Sequence, residues 1–225
     1  APGGNTIAAA ELTCAMLLGL SRKLIQASST LKNGVWDKKS FMGSELSGKV
    51  LAIIGLGRIG REVARRMQSF GMKTIGYDPF LSAEVTKSFG VEHLDLDKLW
   101  PQADYITFHV PLEPSTKNLI NKTSLAKCKR GVKIINVARG GIVDEKALLN
   151  ALQTGQCGGA GLDVFEEEPS RNAALLSHPL VICTPHLGAS TWEAQHKVAE
   201  EISISILHLM DGRSVAGIVN KNQIK

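Results

Sequence analysis

The sequence predicts a doubly wound α/β domain, a parallel sheet with helices on both faces, and three observations carry that prediction. Six short apolar runs, at 50–54, 74–77, 105–109, 132–137, 160–165 and 181–184, are largely unbroken and of strand length, as strands covered on both faces require. Helical patterns separate most of them, and strands alternating with helices build a parallel sheet through right-handed crossovers. A glycine-rich turn, Gly55-Leu-Gly57-Arg58-Ile-Gly60, stands directly after the first run. With 225 residues, 44% of them hydrophobic and 21% charged, the chain can bury a core without disulfides or a structural metal.

Taken in order, Asn5 or Thr6 can cap a helix running from Ala8 to about Ser28. Its first turns are apolar on nearly every face, which predicts burial between domains or subunits. Asn33-Gly34 marks a turn, and a loop follows through Ser47-Gly48. The strand at 50–54 leads through the glycine turn into a helix on which Ile59, Val63, Met67 and Phe70 recur at helical spacing. The strand at 74–77 ends on Asp78, and a helix over 145–152 separates the fourth strand from the fifth. Ser190-Thr-Trp-Glu193 reads as a capping box; Ala194, Val198, Ile202, Ile206 and Leu209 line one face of the last helix, and Gly212 stands where it would end. Residues 1–190 are expected to form the nucleotide-binding unit and 191–225 a C-terminal helix and tail, with 1–28 and 191–225 packing together.

Composition removes several alternatives. The net charge of +5 suits an anionic partner, but the basic residues are spread along the chain and Lys127, Lys129 and Arg130 are the densest cluster, which reads as a solvated face. A small anionic substrate or cofactor is expected, and no nucleic acid. The four cysteines (14, 128, 157 and 183) form no C-x-x-C pair, and the six histidines show no ligand spacing, so no metal is expected. Scattered thiols suit a reducing cytosol. The most apolar N-terminal run, 7–20, contains Glu11, is shorter than a bilayer span and lacks the basic start of a signal peptide, so no membrane partner is expected.

The glycine turn gains meaning from its context. It follows a strand, opens a helix and is followed by an acid at the end of the second strand, the arrangement a dinucleotide site needs. Gly55 permits the tight turn, Gly57 lets the backbone approach a pyrophosphate, and Gly60 lets helix and strand pack closely. The helix N-terminus offers N–H groups and partial positive charge to phosphates, with Arg58 adding a charged contact. Asp78 should accept hydrogen bonds from the adenosine ribose and repel the extra phosphate of NADP, so NAD is the expected cofactor.

Three polar residues follow the last three strands, at the carboxyl edge where open α/β sheets bind ligands. Arg139 lies in Asn136-Val-Ala-Arg-Gly-Gly141, Glu168 in Asp163-Val-Phe-Glu-Glu-Glu-Pro169, and His186 in Thr184-Pro-His-Leu-Gly-Ala189. Oxidising a secondary alcohol needs a base for the hydroxyl proton while hydride leaves carbon, and imidazole suits that task near neutral pH. A carboxylate beside it orients the ring and stabilises the imidazolium. A guanidinium grips a substrate carboxylate with two parallel hydrogen bonds. His186 is therefore expected as acid/base, Glu168 as its partner and Arg139 as the substrate clamp.

With these residues assembled, the chain resembles the D-isomer-specific 2-hydroxyacid dehydrogenases. The resemblance runs over about 4–220 and rests on 41–43, 55–63, 68–79, 138–145 and 185–191. It implies a Rossmann-type fold, an NAD cofactor and the catalytic trio Arg139, Glu168 and His186; Glu168 is chosen from three consecutive acids because the family's glutamate directly precedes the proline. It maps cofactor contacts to Gly55, Gly57, Arg58, Ile59, Gly60, Asp78, Val137, Ala138, Arg139, Asp163, His186, Gly188 and Ala189, with Asp163 near the nicotinamide carboxamide. Within the family it points to oxidation of 3-phosphoglycerate, a step of serine biosynthesis, with a glyoxylate or hydroxypyruvate reductase or an NAD-sensing corepressor-like scaffold as rivals. It further implies that the family's substrate domain is largely missing, that the fragment binds NAD with little turnover, that the protein is cytoplasmic, and that it forms a homodimer through the helix at 8–20. Lys38 and Lys39 read as solvated rather than as substrate contacts.

Overall fold

The computed structural model describes residues 3–215 and 218. Two helices open it, α1 (Thr6–Arg22) and α2 (Leu24–Lys32), followed by β1 (Val50–Ile54), α3 (Arg58–Ser69), β2 (Lys73–Tyr77) and α4 (Ala83–Lys87). Then come β3 (Glu92–His93), α5 (Leu96–Leu99), β4 (Tyr105–Phe108), α6 (Lys122–Lys127) and β5 (Val132–Asn136). The chain ends through α7 (Glu145–Thr154), β6 (Cys157–Leu162), α8 (Ala173–Leu176), β7 (Val181–Cys183) and α9 (Trp192–Met210). The seven strands are parallel and lie in the order β3-β2-β1-β4-β5-β6-β7. The chain reverses its direction of travel across the sheet between β1 and β4, and the carboxyl ends flanking that switch open a crevice.

Strand periodicity builds the core on both faces. Ile53 and Ile54 are consecutive and point to opposite sides. Ile53 joins Leu17, Leu51, Val63, Met67 and Ile135 beneath α1 and α3. Ile54 joins Ile106, Phe108, Ile134, Leu148 and Leu162 on the other side, where α7 packs. Burying each large apolar side chain contributes about 1.5–3 kcal/mol, which is why five residues of Val, Leu, Ala and Ile suffice to specify β1.

The structure corrects the sequence expectations at several points. The single helix over 8–28 is two helices, because Lys23 takes a left-handed conformation (φ 50°) and breaks the ladder. Asn5 is the N-cap of α1 but makes no side-chain capping bond. The apolar face of α1 is covered within this chain, against α3 and strands β5, β6 and β7, rather than between domains or subunits. Exposed apolar side chains lie on α2 and the loop after it, at Leu24, Ile25, Leu31, Val35, Trp36 and Met42, and also along α9, at Trp192, Ile204, Leu207 and Met210. β6 ends at Leu162, leaving 163–165 in a loop, and β3 is a seventh strand that the apolar runs did not predict. At the far end the cap of α9 is Thr191, whose side chain accepts from Ala194 N, not a box built on Ser190. Of the expected α9 face only Ala194 is buried, and Ile202, Ile206 and Leu209 are exposed. Gly212 does turn left-handed (φ 70°) just beyond that helix. The N-terminal turn and α9 touch where Gly4 meets Val198; the rest of the expected tail, at 216–217 and 219–225, lies outside the described residues. Among the described residues no helix is long and apolar enough to cross a membrane.

Candidate active site

The turn after β1 is closed in by backbone at two glycines and open at the third. A Cβ on Gly55 (φ 90°) would stand 2.5 Å from the His109 carbonyl oxygen, and one on Gly60 would stand 2.1 Å from the Gly55 carbonyl oxygen. A Cβ on Gly57 would meet nothing within 4 Å. Gly57 is also the N-cap of α3 and supplies no side chain to it, so the helix start faces open space across bare backbone. A diphosphate fits such a place, because a partial positive charge and N–H groups can be approached without a side chain in the way. Gly60→Ala is expected to lower stability by about 1–3 kcal/mol, since backbone cannot retreat as a flexible side chain can. Thermal unfolding would read this as a fall in Tm of several degrees, and an unchanged Tm would contradict the contact.

Asp78 holds the acid position at the end of β2, where both of its oxygens are tied to backbone. Oδ2 accepts from Leu56 N at 2.9 Å and Oδ1 from Phe80 N at 2.9 Å, so the carboxylate is fixed beside the glycine turn. His93 approaches the Asp78 carbonyl oxygen at 3.2 Å and stacks on Tyr77. Ile59 packs against the α1–α3 core. His109 is a neighbour that sequence reasoning passed over; burial pushes its imidazole down to about 3, so the ring is neutral and pairs with Thr107 Oγ1 at 3.2 Å.

The second half of the site is built from the ends of β5, β6 and β7. His186 Nδ1 and Glu168 Oε2 lie 2.7 Å apart. The other carboxylate oxygen, Oε1, accepts from Phe165 N at 3.1 Å. Partial burial pushes the Glu168 carboxyl up, but the hydrogen bonds from His186 and Phe165, with the charges of His186 and Arg139, outweigh it and hold the group below the ordinary carboxylate range. Arg139 is close enough to contribute that charge, although its Nη1 donates back to the Ala138 carbonyl oxygen at 2.6 Å. A carboxyl held low when folded stabilises the fold above its unfolded value, about 4.3 for glutamate, and that contribution disappears as pH falls through the folded value. Glu168→Gln is therefore expected to flatten part of the acid limb of stability; denaturant midpoints for wild type and variant between pH 6 and pH 3 should converge at the acid end, and parallel curves would contradict the pairing.

Asp163 does something the resemblance did not imply. It is fully buried, with 0% exposure. Its Oδ1 accepts from Thr184 Oγ1 (2.5 Å) and Leu187 N (2.6 Å), and its Oδ2 from Gly188 N (2.7 Å). Its carbonyl oxygen accepts from His186 N at 2.9 Å. These bonds hold His186 at φ 58°, a left-handed conformation that a non-glycine residue adopts at a cost of about 1–3 kcal/mol. Val137 and Gly188 pack against each other behind the loop, Ala138 donates to Asn136 Oδ1 at 3.1 Å, and Ala189 is half-buried at the loop's end. Gly140 fixes the relation of the Arg139 turn to the Glu168 loop, for a Cβ there would stand 1.6 Å from the Phe165 carbonyl oxygen. The expected trio thus lies on three adjoining loops, with Glu168 and His186 in direct contact and Arg139 near them.

Comparison with known proteins places these features in a family context. Residues 14–188 match the family described as D-isomer specific 2-hydroxyacid dehydrogenase, NAD binding domain. A relative named D-3-phosphoglycerate dehydrogenase, from Sus scrofa, is 61% identical over 219 residues, which is 97% of this chain and 41% of the relative. Among solved structures, a glyoxylate reductase from Paecilomyes thermophila superposes with a TM-score of 0.91 at 33% identity, covering 99% of this chain and 67% of the other. A D-lactate dehydrogenase from Aquifex aeolicus, complexed with NAD and lactic acid, has a TM-score of 0.86 at 32% identity over 94% of this chain and 68% of its own. The chain spans about two-fifths of the length of the curated relatives it matches, 41% for the Sus scrofa protein.

Proposed function

The chain belongs to the D-isomer specific 2-hydroxyacid dehydrogenase family, and from that membership we propose that it is the NAD-binding and catalytic half of an enzyme oxidising 3-phosphoglycerate to 3-phosphohydroxypyruvate, the first step of serine biosynthesis. The observation that carries the chemistry is the 2.7 Å contact of His186 Nδ1 with Glu168 beside the Arg139 turn. The substrate assignment rests on the 61% identity to a D-3-phosphoglycerate dehydrogenase, against 33% to the glyoxylate reductase.

The residues fit the cofactor: open space at Gly57, a fixed carboxylate at Asp78, and the ends of β5 and β7 on the same edge of the sheet. Gly55, Gly57, Arg58, Ile59 and Gly60 would hold the pyrophosphate, Asp78 the adenosine ribose, and Val137, Ala138, Arg139, Asp163, His186, Gly188 and Ala189 would line the nicotinamide end, with Asp163 near the carboxamide. When bound, NAD supplies the hydride acceptor. With Nδ1 engaged by Glu168, His186 presents Nε2 to the substrate hydroxyl and takes its proton. Glu168 fixes the ring and stabilises the imidazolium that results. Arg139 turns from the Ala138 carbonyl to pair with the substrate carboxylate through both arms of its guanidinium.

In this reading 1–190 is the cofactor unit and 191–225 leads back toward the unit that completes the substrate pocket, so this chain alone binds NAD with little or no turnover. The reaction is tested in a protein of the relatives' full length in which this chain replaces the matching segment, by NADH production with 3-phosphoglycerate, glycerate and lactate, and by NADH consumption with glyoxylate. A rate with 3-phosphoglycerate no greater than with the other acids would overturn the substrate assignment. The protein acts in the cytoplasm on this reading. It pairs as a homodimer through α2 and the following loop, where Trp36 is 84% exposed and Leu24 59%. Sedimentation should give a dimer at micromolar concentration, and Trp36→Glu should shift it toward monomer; a monomeric wild type would contradict the surface assigned.

A further inference from the structure

The loop that carries Glu168 is exposed at residues 166–169, yet its glutamate must hold a fixed distance from His186. What restrains it is a carboxylate on a neighbouring element. Glu145 is the first residue of α7, after the N-cap Asp144, and it is 9% exposed. Its Oε1 accepts from Glu166 N at 2.8 Å, and its Oε2 accepts from Asn172 Nδ2 at 2.9 Å. In return Glu145 N donates to Glu166 Oε1 at 3.0 Å. The two glutamates therefore exchange side chain for backbone, while Asn172, which also caps α8 through Leu175 N, ties down the other end of the segment.

We propose that Glu145 is a positioning residue of this site, bracketing residues 166–172 on both sides and so fixing the Glu168 carboxylate against the His186 imidazole. The proposal rests on the reading of Glu168 and His186 as an acid/base pair, and it adds the residue that holds one member in place. An acid in the first turn of a helix is ordinarily a local stabiliser of that helix. Here both oxygens instead leave the helix, and each meets a donor on the catalytic loop. Only a carboxylate can do this, because an amide would turn N–H toward one of two N–H donors and leave that donor unpaired.

The test follows the carboxyl carbon of Glu168 by NMR titration in this chain, with melting temperature recorded alongside. Wild type should titrate below the ordinary carboxylate range. In Glu145→Gln and Glu145→Ala the titration should move up toward that range, although His186 and Arg139, the charges that face Glu168, are unaltered. Should the alanine variant not fold, the glutamine variant, which keeps the size of the side chain, carries the test. Combining Glu145→Gln with Asn172→Asp should restore the low titration, since the amide oxygen then serves Glu166 N–H and the amide nitrogen the new carboxylate at 172. A lowered melting temperature with the Glu168 titration unmoved would reduce Glu145 to a helix stabiliser and overturn the proposal alone. Titration of wild-type Glu168 in the ordinary range would overturn the acid/base pair itself, and the proposal with it.

Discussion

His186→Ala is expected to lower the proposed 3-phosphoglycerate oxidation, measured in the protein of the relatives' length that carries this chain, by a factor of about 10²–10⁴, the range that a positioned acid/base supplies. The loss should fall on kcat more than on the affinity for NAD, because the glycine turn and Asp78, proposed to hold the pyrophosphate and ribose, lie at the ends of β1 and β2, away from this loop. Glu168→Gln should give a smaller loss, since the amide oxygen can still accept from Nδ1–H while the charge opposite the imidazolium is gone. A histidine variant retaining more than a tenth of wild-type kcat would remove the residue from the role assigned here. Steady-state rates and NAD titrations on the same preparations distinguish a lost proton acceptor from a disturbed fold.

Asp78→Ala should weaken NAD binding by about 10–100-fold, the equivalent of losing hydrogen bonds to a charged acceptor, and it should narrow the gap between NAD and NADP. The carboxylate cannot swing away from an extra phosphate, for Leu56 N and Phe80 N each hold one oxygen at 2.9 Å. Two unit charges about 4 Å apart repel by roughly 4 kcal/mol at an effective dielectric of 20. That repulsion corresponds to about a thousandfold preference, and salt and solvent reduce it. Calorimetry of this chain with both nucleotides reads the preference directly, and equal affinities in wild type would refute the selectivity argument.

How much of this was legible depended on whether a feature has a local signature. Strands β1, β2, β4, β5, β6 and β7 were visible because strands buried on both faces demand consecutive apolar residues, and the glycine turn because backbone must come close at Gly55 and Gly60. β3 was not, since Glu92 and His93 become a strand only by pairing with Ile75 and Gly76. The break at Lys23 was hidden because lysine carries no preference for a left-handed conformation; its side chain reaches the Ser40 carbonyl oxygen at 3.0 Å, a contact between distant parts of the sequence. Arg139, Glu168 and His186 could be nominated from strand ends and family likeness. Glu145 looked like an ordinary first-turn acid beside Asp144, and its burial against the 166–172 segment shows only in the structure. Asp163 carried a family expectation of lying near the nicotinamide carboxamide; that its carboxylate also accepts from three donors of the 184–188 loop had no local signature.

Those bonds have a consequence for what a ligand meets on arrival. Ordering a flexible loop around a substrate costs binding energy, up to about 1.5 kcal/mol for each rotamer-rich side chain immobilised. Asp163 is bonded to Thr184, Leu187 and Gly188, so the stretch bearing the imidazole is held without a ligand and much of the cost of ordering it falls on folding rather than on binding. Binding at this loop then spends less on ordering it, and that part of the binding energy is available to stabilise the transition state.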